Sequence, residues 1–198
     1  MSSSLLKNEL PMTFCLGIKL DSGLLAIADT RITSGTEFIT ARKLTIHEQN
    51  QHSLFLMTSG LRSARDKAIT YFEEALEEQV SKYDKLYKAA NAFAIQVRRV
   101  AAEDGEALRN ANIWLNLHAV VGGQLENDKE HKLYMIYPEG NWIESTPSSP
   151  YYIIGESGYG KPVLDRGLRS MAITFFPIAT RASQRSPSSS GMRTTSAS

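Results

Sequence analysis

The sequence predicts a layered α+β fold, in which antiparallel sheets pack on each other and helices lie outside them. Apolar residues alternate with a period of two before residue 60 and again after residue 112, which indicates strands. Between these regions the apolar residues recur at helical spacing. The chain has 198 residues, of which 42% are hydrophobic and 22% are charged. These values suit one globular domain with a sizeable core.

Short strands open the predicted domain. After Thr13, alternate residues place Phe14, Leu16, Ile18 and Leu20 on one face, and Cys15, Gly17 and Lys19 on the other. A turn at 21–23 leads into a returning strand at 24–28, and Asp29 ends it. Further strands are expected around 37–40, 43–47 and 54–58. Together they predict an antiparallel meander.

Two helices follow the first strands. Leu61, Ala64, Ala68, Phe72 and Leu76 lie among the apolar positions that predict a helix from about 61 to 80. Ser63 and Asp66 resemble a capping box at its start. A second helix is expected to begin near Asp84, an acceptable N-cap, and to close at Gly105 and the 110–112 stretch. Both apolar stripes predict core packing.

Strand periodicity returns in the last third of the domain. Strands are predicted at 113–121, in a hairpin at 132–137 and 142–145, and at 151–154. The last strand leads into the glycine-rich loop 155–160, and a helix is expected to begin at Pro162.

The composition changes abruptly near residue 169. Residues 181–198 are rich in Ser, Arg and Thr, which cannot bury much apolar surface, so disorder is expected there. The change resembles the product of a shifted reading frame. We therefore divide the chain into an N-terminal extension or propeptide at 1–12, a domain at 13–168 and an atypical tail at 169–198.

Composition also bears on the classes of partner. The formal net charge is +1, from 22 Lys and Arg against 21 Asp and Glu, which offers no argument for nucleic-acid binding. Cys15 is the single cysteine, so an intrachain disulfide is impossible, and a small buried hydrophobic role is expected for it. No apolar run reaches membrane-spanning length, and no secretory signal opens the sequence. These features predict a cytoplasmic protein without a membrane partner.

The candidate chemistry begins at Met12-Thr13. A threonine hydroxyl is a weak nucleophile that needs a base, and a free α-amine on the same residue can serve because its pKa lies near 8. Exposing that amine requires removal of residues 1–12. Methionine removal achieves this if translation begins at Met12, and cleavage of a short propeptide achieves it if Met1 is the start.

An ordered series of motifs resembles one family. The series consists of Thr13–Asp21, Ala28–Arg31, Arg42-Lys43, Thr58–Gly60, Val121–Gly123 and Gly155–Pro162. It is similar to the bacterial proteasome-like peptidases called Anbu, which are relatives of proteasome β subunits, and it extends over about residues 13–168. The resemblance implies a four-layer αββα sandwich of the N-terminal-nucleophile hydrolase type, here expected to be incomplete at the C-terminus.

The resemblance also implies roles for individual residues. Thr13 is expected to be the nucleophile, with its own amine as the base. Lys43 would favour the deprotonated hydroxyl, Asp29 would hold Lys43 in place, and the N–H of Gly60 would face the developing oxyanion. A peptide or unfolded-protein substrate would lie as an added strand beside Ile32, Thr33 and Ser34, with Met57 and Leu61 lining the pocket. No metal or organic cofactor is expected. The resemblance also implies that the chain associates with itself into a ring or helical stack.

Two alternatives from other classes stay open. Family members normally supply an Asp and a Ser near the threonine amine from the segment after residue 168, and this sequence does not follow that pattern there. The chain is therefore also compatible with a catalytically inactive assembly protein. Residues 155–161 match part of a phosphate-binding loop, but Pro162 stands where the magnesium-binding hydroxyl is needed, which makes a nucleotide-binding module the weaker alternative.

Overall fold

The structure is a computed structural model, and it describes residues 13–29, 31–34, 37–40, 43–49, 52–78 and 83–155 together with Lys161. The predicted N-terminal extension, most of the glycine-rich loop, the helix at Pro162 and the tail lie outside the described residues.

The described strands form two main antiparallel sheets and a separate hairpin. The first sheet has the order β10-β1-β2, from Tyr151–Gly155, Phe14–Leu20 and Gly23–Ala28. The second sheet has the order β5-β6-β7-β8-β9, from Leu44–Gln49, His52–Gly60, Leu117–Gln124, Lys132–Ile136 and Trp142–Glu144. Strands β3 (Arg31–Ser34) and β4 (Glu37–Thr40) pair only with each other among these residues. The expected single meander is therefore wrong, because the first six strands are divided among three sheets.

Two helices cover one face of the second sheet. Helix α1 spans Arg62–Glu78 and α2 spans Leu86–Asn110. The rings of Phe72 and Phe93 meet edge to face at a centroid distance of 5.4 Å where the two helices pack together. This helix-side core also includes the buried strand residues Leu56, Val121 and Ile136.

A second core fills the space between the two sheets. Its fully buried members include Cys15 from β1 and Met57, Val120 and Leu133 from the second sheet. Gly17 lies against them, since a Cβ added there would be 3.0 Å from Val120 and 3.2 Å from Leu133. The described residues thus build a helix–sheet–sheet stack, and the predicted α+β class is confirmed. The described residues include no helix layer on the other side of the first sheet, so that part of the αββα expectation stays a prediction.

The helix boundaries correct two local predictions. Helix α1 begins at Arg62, so Ser63 lies inside its first turn, and the carboxylate of Asp66 instead accepts hydrogen bonds from Arg62 and Arg65. The predicted capping box is wrong. The residues 113–116 precede β7, so the predicted strand begins later, at Leu117.

The start of α2 is capped by a residue distant in sequence. Helix α2 begins at Leu86, and its N-cap Lys85 makes no side-chain capping bond, so Asp84 is not the cap. The Oδ2 of Asp128 accepts hydrogen bonds from the backbone N–H of Leu86, at 2.8 Å, and of Leu125, at 3.0 Å. Asp128 therefore joins the β7–β8 loop to the beginning of the helix.

Replacing Asp128 by Ala is expected to destabilise the protein by about 1–2 kcal/mol, because it leaves two backbone donors without their acceptor. Chemical denaturation of the two proteins measures the difference. Glu126→Ala, in the same loop at an exposed position, is the control and should change the free energy of unfolding little. A loss of the same size in both variants would contradict a capping role.

A half-buried histidine predicts a pH-dependent stability. The ring of His47 contacts Phe72 edge-on, and its Nε2 is buried without a hydrogen-bond partner among the described residues. Burial lowers the pKa of His47 below its ordinary 6.5, with Glu73 opposing this shift. The unfolded chain therefore takes up the proton first as the pH falls, and stability is lost below about pH 6.5.

The His47→Gln variant should show a weaker loss of unfolding free energy than the wild type between pH 7.5 and 5.5. The largest slope expected from one histidine is about 1.4 kcal/mol per pH unit. Burial also lowers the pKa of His118, so His118→Gln provides a second, additive reduction in the slope. Identical pH profiles for the wild type and both variants would show that neither ring is coupled to folding.

Candidate active site

A buried ion pair lies where the first sheet meets the start of β5. The Nζ of Lys43 lies 2.8 Å from Oδ1 and 2.9 Å from Oδ2 of Asp29. The Lys43 side chain is 1% exposed and that of Asp29 is 30% exposed. An ammonium this deeply buried needs a carboxylate partner, since an unpaired charge is strongly disfavoured away from water. The sequence-predicted pairing of these two residues is present in the structure.

The same carboxylate holds the beginning of β1. The backbone N–H of Phe14 donates to Oδ1 of Asp29 at 3.0 Å, and the N–H of Asp29 donates to the carbonyl of Phe14 at the same distance. Asp29 therefore fixes the residue directly after Thr13 from both directions. Thr13 is half-buried and directly precedes Phe14. This contact therefore places it close to the Asp29–Lys43 pair.

The side-chain alternation of β1 indicates where Thr13 faces. Cys15 points between the sheets, and its Sγ lies 3.9 Å from the carbonyl oxygen of Thr58. Thr13 is two residues earlier and so falls on the same face. Burial, with a smaller contribution from Asp29, raises the pKa of the Cys15 thiol to about 12, so the thiol is neutral. Its burial matches the expectation of a small core residue.

Gly155, in the neighbouring strand β10, packs closely against Thr13. Gly155 lies opposite Phe14 in the β1–β10 pairing and has φ +90°, in the region that favours glycine. A Cβ at this position would lie 1.9 Å from the carbonyl oxygen of Thr13 and 3.1 Å from its Cβ. This contact was not predicted from the sequence, because it joins residues far apart in the chain.

Gly60, the last residue of β6, likewise combines a positive φ with a close backbone contact. Its φ is +118°, and an added Cβ would lie 1.4 Å from the carbonyl oxygen of Asn116. That oxygen accepts a hydrogen bond from the N–H of Leu61 at 3.0 Å. Only glycine fits this turn, which passes directly into α1. The oxyanion-binding role predicted for Gly60 stays a prediction.

The residues predicted to bind substrate are distributed over two regions. Ile32, Thr33 and Ser34 lie in β3, opposite Ile39, Phe38 and Glu37 of β4. The other edge of β3 has no strand partner among the described residues. A peptide that binds as an added strand needs such an edge.

Met57 and Leu61 differ in their surroundings. Met57 is fully buried between the sheets, with its Cε 3.4 Å from a Cβ placed on Gly17, so it packs in the core against β1. Leu61 is half-buried against the helix-side core. Substrate contact by either residue stays a prediction.

Sequence analysis missed a buried cation beside this site. The Arg65 side chain is 8% exposed, and its Nε and Nη2 donate to Oδ1 of Asp66 at 2.8 and 2.7 Å. Arg65 follows Leu61 by four residues, which places it on the buried stripe of α1. A charged residue at an apolar stripe position was the available signal.

Two features are absent from the described part of the chain. No group of three or more His, Cys, Asp or Glu residues there is arranged to hold a metal ion. Its helices include none that is both long and apolar enough to span a membrane.

Solved structures of Anbu share this fold. The chain matches an Anbu mutant from Hyphomicrobium sp. strain MC1 with 31% sequence identity and a TM-score of 0.69. It matches Anbu, the ancestral β-subunit, from Yersinia bercovieri with 30% identity and the same TM-score. The helical assembly of the Anbu complex from Pseudomonas aeruginosa gives 31% identity and a TM-score of 0.66.

Each match covers 78% of this chain and 65% of the solved chain, so this sequence spans just under two thirds of their length. No protein-family model matches the chain, and no curated protein matches it significantly. The resemblance to Anbu that the motifs predicted is confirmed, and with it a proteasome-like, N-terminal-nucleophile type of fold.

The contact between Gly155 and Thr13 yields a stability prediction. Gly155→Ala should destabilise the protein by more than the about 1–3 kcal/mol expected from a strained φ alone, because the new methyl group would overlap the backbone of Thr13. Gly23→Ala is the matched control, since Gly23 also has a positive φ but nothing within 4 Å of its added Cβ. Thermal denaturation measures both. Equal losses would show that close packing on Thr13 contributes nothing.

Proposed function

Because the chain shares the fold of Anbu, we propose that it is a threonine-type peptidase whose nucleophile is Thr13, exposed by removal of residues 1–12. The observation that carries this proposal is the double use of Asp29. Its carboxylate binds the buried Lys43 ammonium and the N–H of Phe14 at the same time. One carboxylate thereby links the Lys43 cation to the residue that directly follows the candidate nucleophile.

The first half of the reaction forms an ester. The Thr13 hydroxyl oxygen attacks the peptide carbonyl carbon while its proton passes to the free α-amine of the same residue. The tetrahedral intermediate then collapses, the C–N bond breaks, and the leaving amine takes the proton from the α-ammonium. In this proposal the charge of Lys43 favours the developing negative charge on the Thr13 oxygen.

The second half releases the acyl group. A water molecule attacks the ester carbonyl and gives a proton to the α-amine. The C–O bond to Thr13 breaks, and the hydroxyl recovers its proton as the carboxylic acid leaves. We assign the N–H of Gly60 to the oxyanion in both halves.

The substrate and the assembly belong to the same proposal. We place the peptide along the edge of β3 that lacks a strand partner among the described residues, beside Ile32, Thr33 and Ser34. The helical assembly named for the Pseudomonas aeruginosa structure supports self-association of this chain. Trp114, which is 81% exposed, and Ile113, which is 43% exposed, are apolar surface residues that such contacts would cover.

Expressing the chain from Met12, so that methionine removal leaves Thr13 at the N-terminus, is expected to yield an active peptidase. Thr13→Ala should abolish hydrolysis of a peptide panel, because no hydroxyl remains to form the ester. Lys43→Met should lower kcat by about 10²–10³-fold through loss of the adjacent charge. Intact mass confirms the N-terminus, and fluorogenic peptides measure the rates.

The full-length chain that retains Met1–Met12 is the matched control, and it should be inactive because Thr13 then lacks a free amine. Hydrolysis at equal rates by Thr13→Ala, or by the unprocessed chain, would refute the mechanism. A correctly processed but inactive protein would favour the assembly role.

A further inference from the structure

The first sheet has an apolar face that points away from the second sheet. Cys15 and Gly17 of β1 lie against the core between the sheets, so Leu16 and Ile18, which alternate with them, point the other way. The ladder pairs of β1 place four further apolar or aromatic side chains on this outer face, namely Leu25, Ile27, Tyr151 and Ile153. A contiguous apolar face of this kind is rarely left open to water in a folded protein.

The burial of the outer face is uneven. Leu16 is 6% exposed and Ile18 is 5% exposed, yet neither belongs to the helix-side core or to the core between the sheets. Ile27, in the edge strand β2, is 46% exposed. Helices α1 and α2 pack against the second sheet and so cannot cover this face. The burial of Leu16 and Ile18 therefore needs a further part of the chain, and the β2 side of the face is half open.

The chain returns to the outer face after β10. The Nζ of Lys161 donates to the hydroxyl oxygen of Tyr151 at 3.3 Å and lies 5.6 Å from the centre of its ring. Tyr151 is the first residue of β10 and Gly155 is the last. Between Gly155 and Lys161 the chain therefore reverses and comes back beside the start of the strand. The residues that follow Lys161 thus begin next to an outer-face side chain.

The sequence after Lys161 contains one stretch whose composition suits an apolar face. Met171–Ile178 reads Met-Ala-Ile-Thr-Phe-Phe-Pro-Ile, with no charge and with Thr174 as its single hydroxyl-bearing residue. The linker between Lys161 and Met171 is long enough to reach any part of the face. An extended chain advances about 3.3 Å per residue, and the longest strand of this sheet, β1, has only 7 residues.

We propose that Met171–Ile178 packs on the outer face of the first sheet, over Leu25 and Ile27 on its β2 side. The segment can bury Phe175 and Phe176 without burying a charge, whereas the arginine- and serine-rich residues after it cannot. A segment of the same chain is favoured over a second copy, because a short linker gives it a high effective concentration at the face.

This contact would also steady the strand that carries the candidate nucleophile. Strand β1 is the middle strand of the first sheet and directly follows Thr13. The packing of Met171–Ile178 does not require the peptidase chemistry of Thr13, so the two proposals fail independently.

A photo-cross-linking experiment on the full-length chain locates the segment. Phe176 is replaced by p-benzoylphenylalanine, which inserts into nearby C–H bonds on illumination, and mass spectrometry identifies the joined peptides. We expect adducts within one chain, on the outer-face residues of β1, β2 or β10. The same analogue in place of Met192, farther along the tail, is the matched control and should not give these adducts. Adducts on the second sheet, adducts between two chains, no adducts at all, or the same adducts from both positions would overturn the proposal.

Thiol labelling provides a second measurement. Leu25→Cys places a thiol on the outer face, and the native Cys15 is buried, so a maleimide reagent reports the new thiol. Adding Phe175→Ser and Phe176→Ser should raise the labelling rate about tenfold, as for a site that loses its protecting contact.

Ile46→Cys is the matched control for labelling. Ile46 is 58% exposed on β5 of the second sheet, so the two serine substitutions should leave its labelling rate unchanged. An unchanged rate at Leu25→Cys, or equal increases at both thiols, would refute a contact specific to the outer face. If the serine variant fails to fold by circular dichroism, the cross-links from Phe176 alone decide the proposal.

Discussion

The carboxylate of Asp29 is the interaction on which the rest of the site depends. It accepts a hydrogen bond from the N–H of Phe14 at the start of β1, and both of its oxygens bind the ammonium of Lys43 just before β5. It therefore joins the first sheet to the first strand of the second sheet. Because Lys43 is buried, removing Asp29 would take away the carboxylate that compensates its charge, and breaking a buried pair in this way typically costs about 3–5 kcal/mol. Asp29 thus contributes both to the position of the chain beside Thr13 and to the stability of the sandwich.

Backbone constraints complete the same region without side chains. Gly155 and Gly60 have positive φ values, and in each case an added Cβ would overlap a carbonyl oxygen, of Thr13 and Asn116 respectively. One glycine lets β10 lie directly against the residue before β1, and the other lets β6 turn sharply into α1. The site is therefore built mainly from close backbone packing around a single ion pair. Such an arrangement limits the freedom of Thr13.

The sequence predicted the parts of this structure that depend on local periodicity. The presence of β1, the β8–β9 hairpin and the two helices agrees with the apolar pattern of the sequence. The pairing of Asp29 with Lys43 followed from resemblance to a family, since neither residue is distinctive alone. The cap of α2 by Asp128 and the division of the strands among three sheets could not be predicted, because both depend on contacts distant in sequence. Arg65 was detectable only as a charge at a stripe position.

In our proposal, Thr13 serves as both nucleophile and base. The Lys43 ammonium, which Asp29 holds in place, favours the deprotonated hydroxyl. A free α-amine has an ordinary pKa near 8, so a useful fraction of it is neutral at physiological pH. The hydroxyl that attacks and the amine that takes its proton belong to the same residue, so no second residue has to be positioned as the base. Removal of residues 1–12 is therefore the step on which the proposed activity depends.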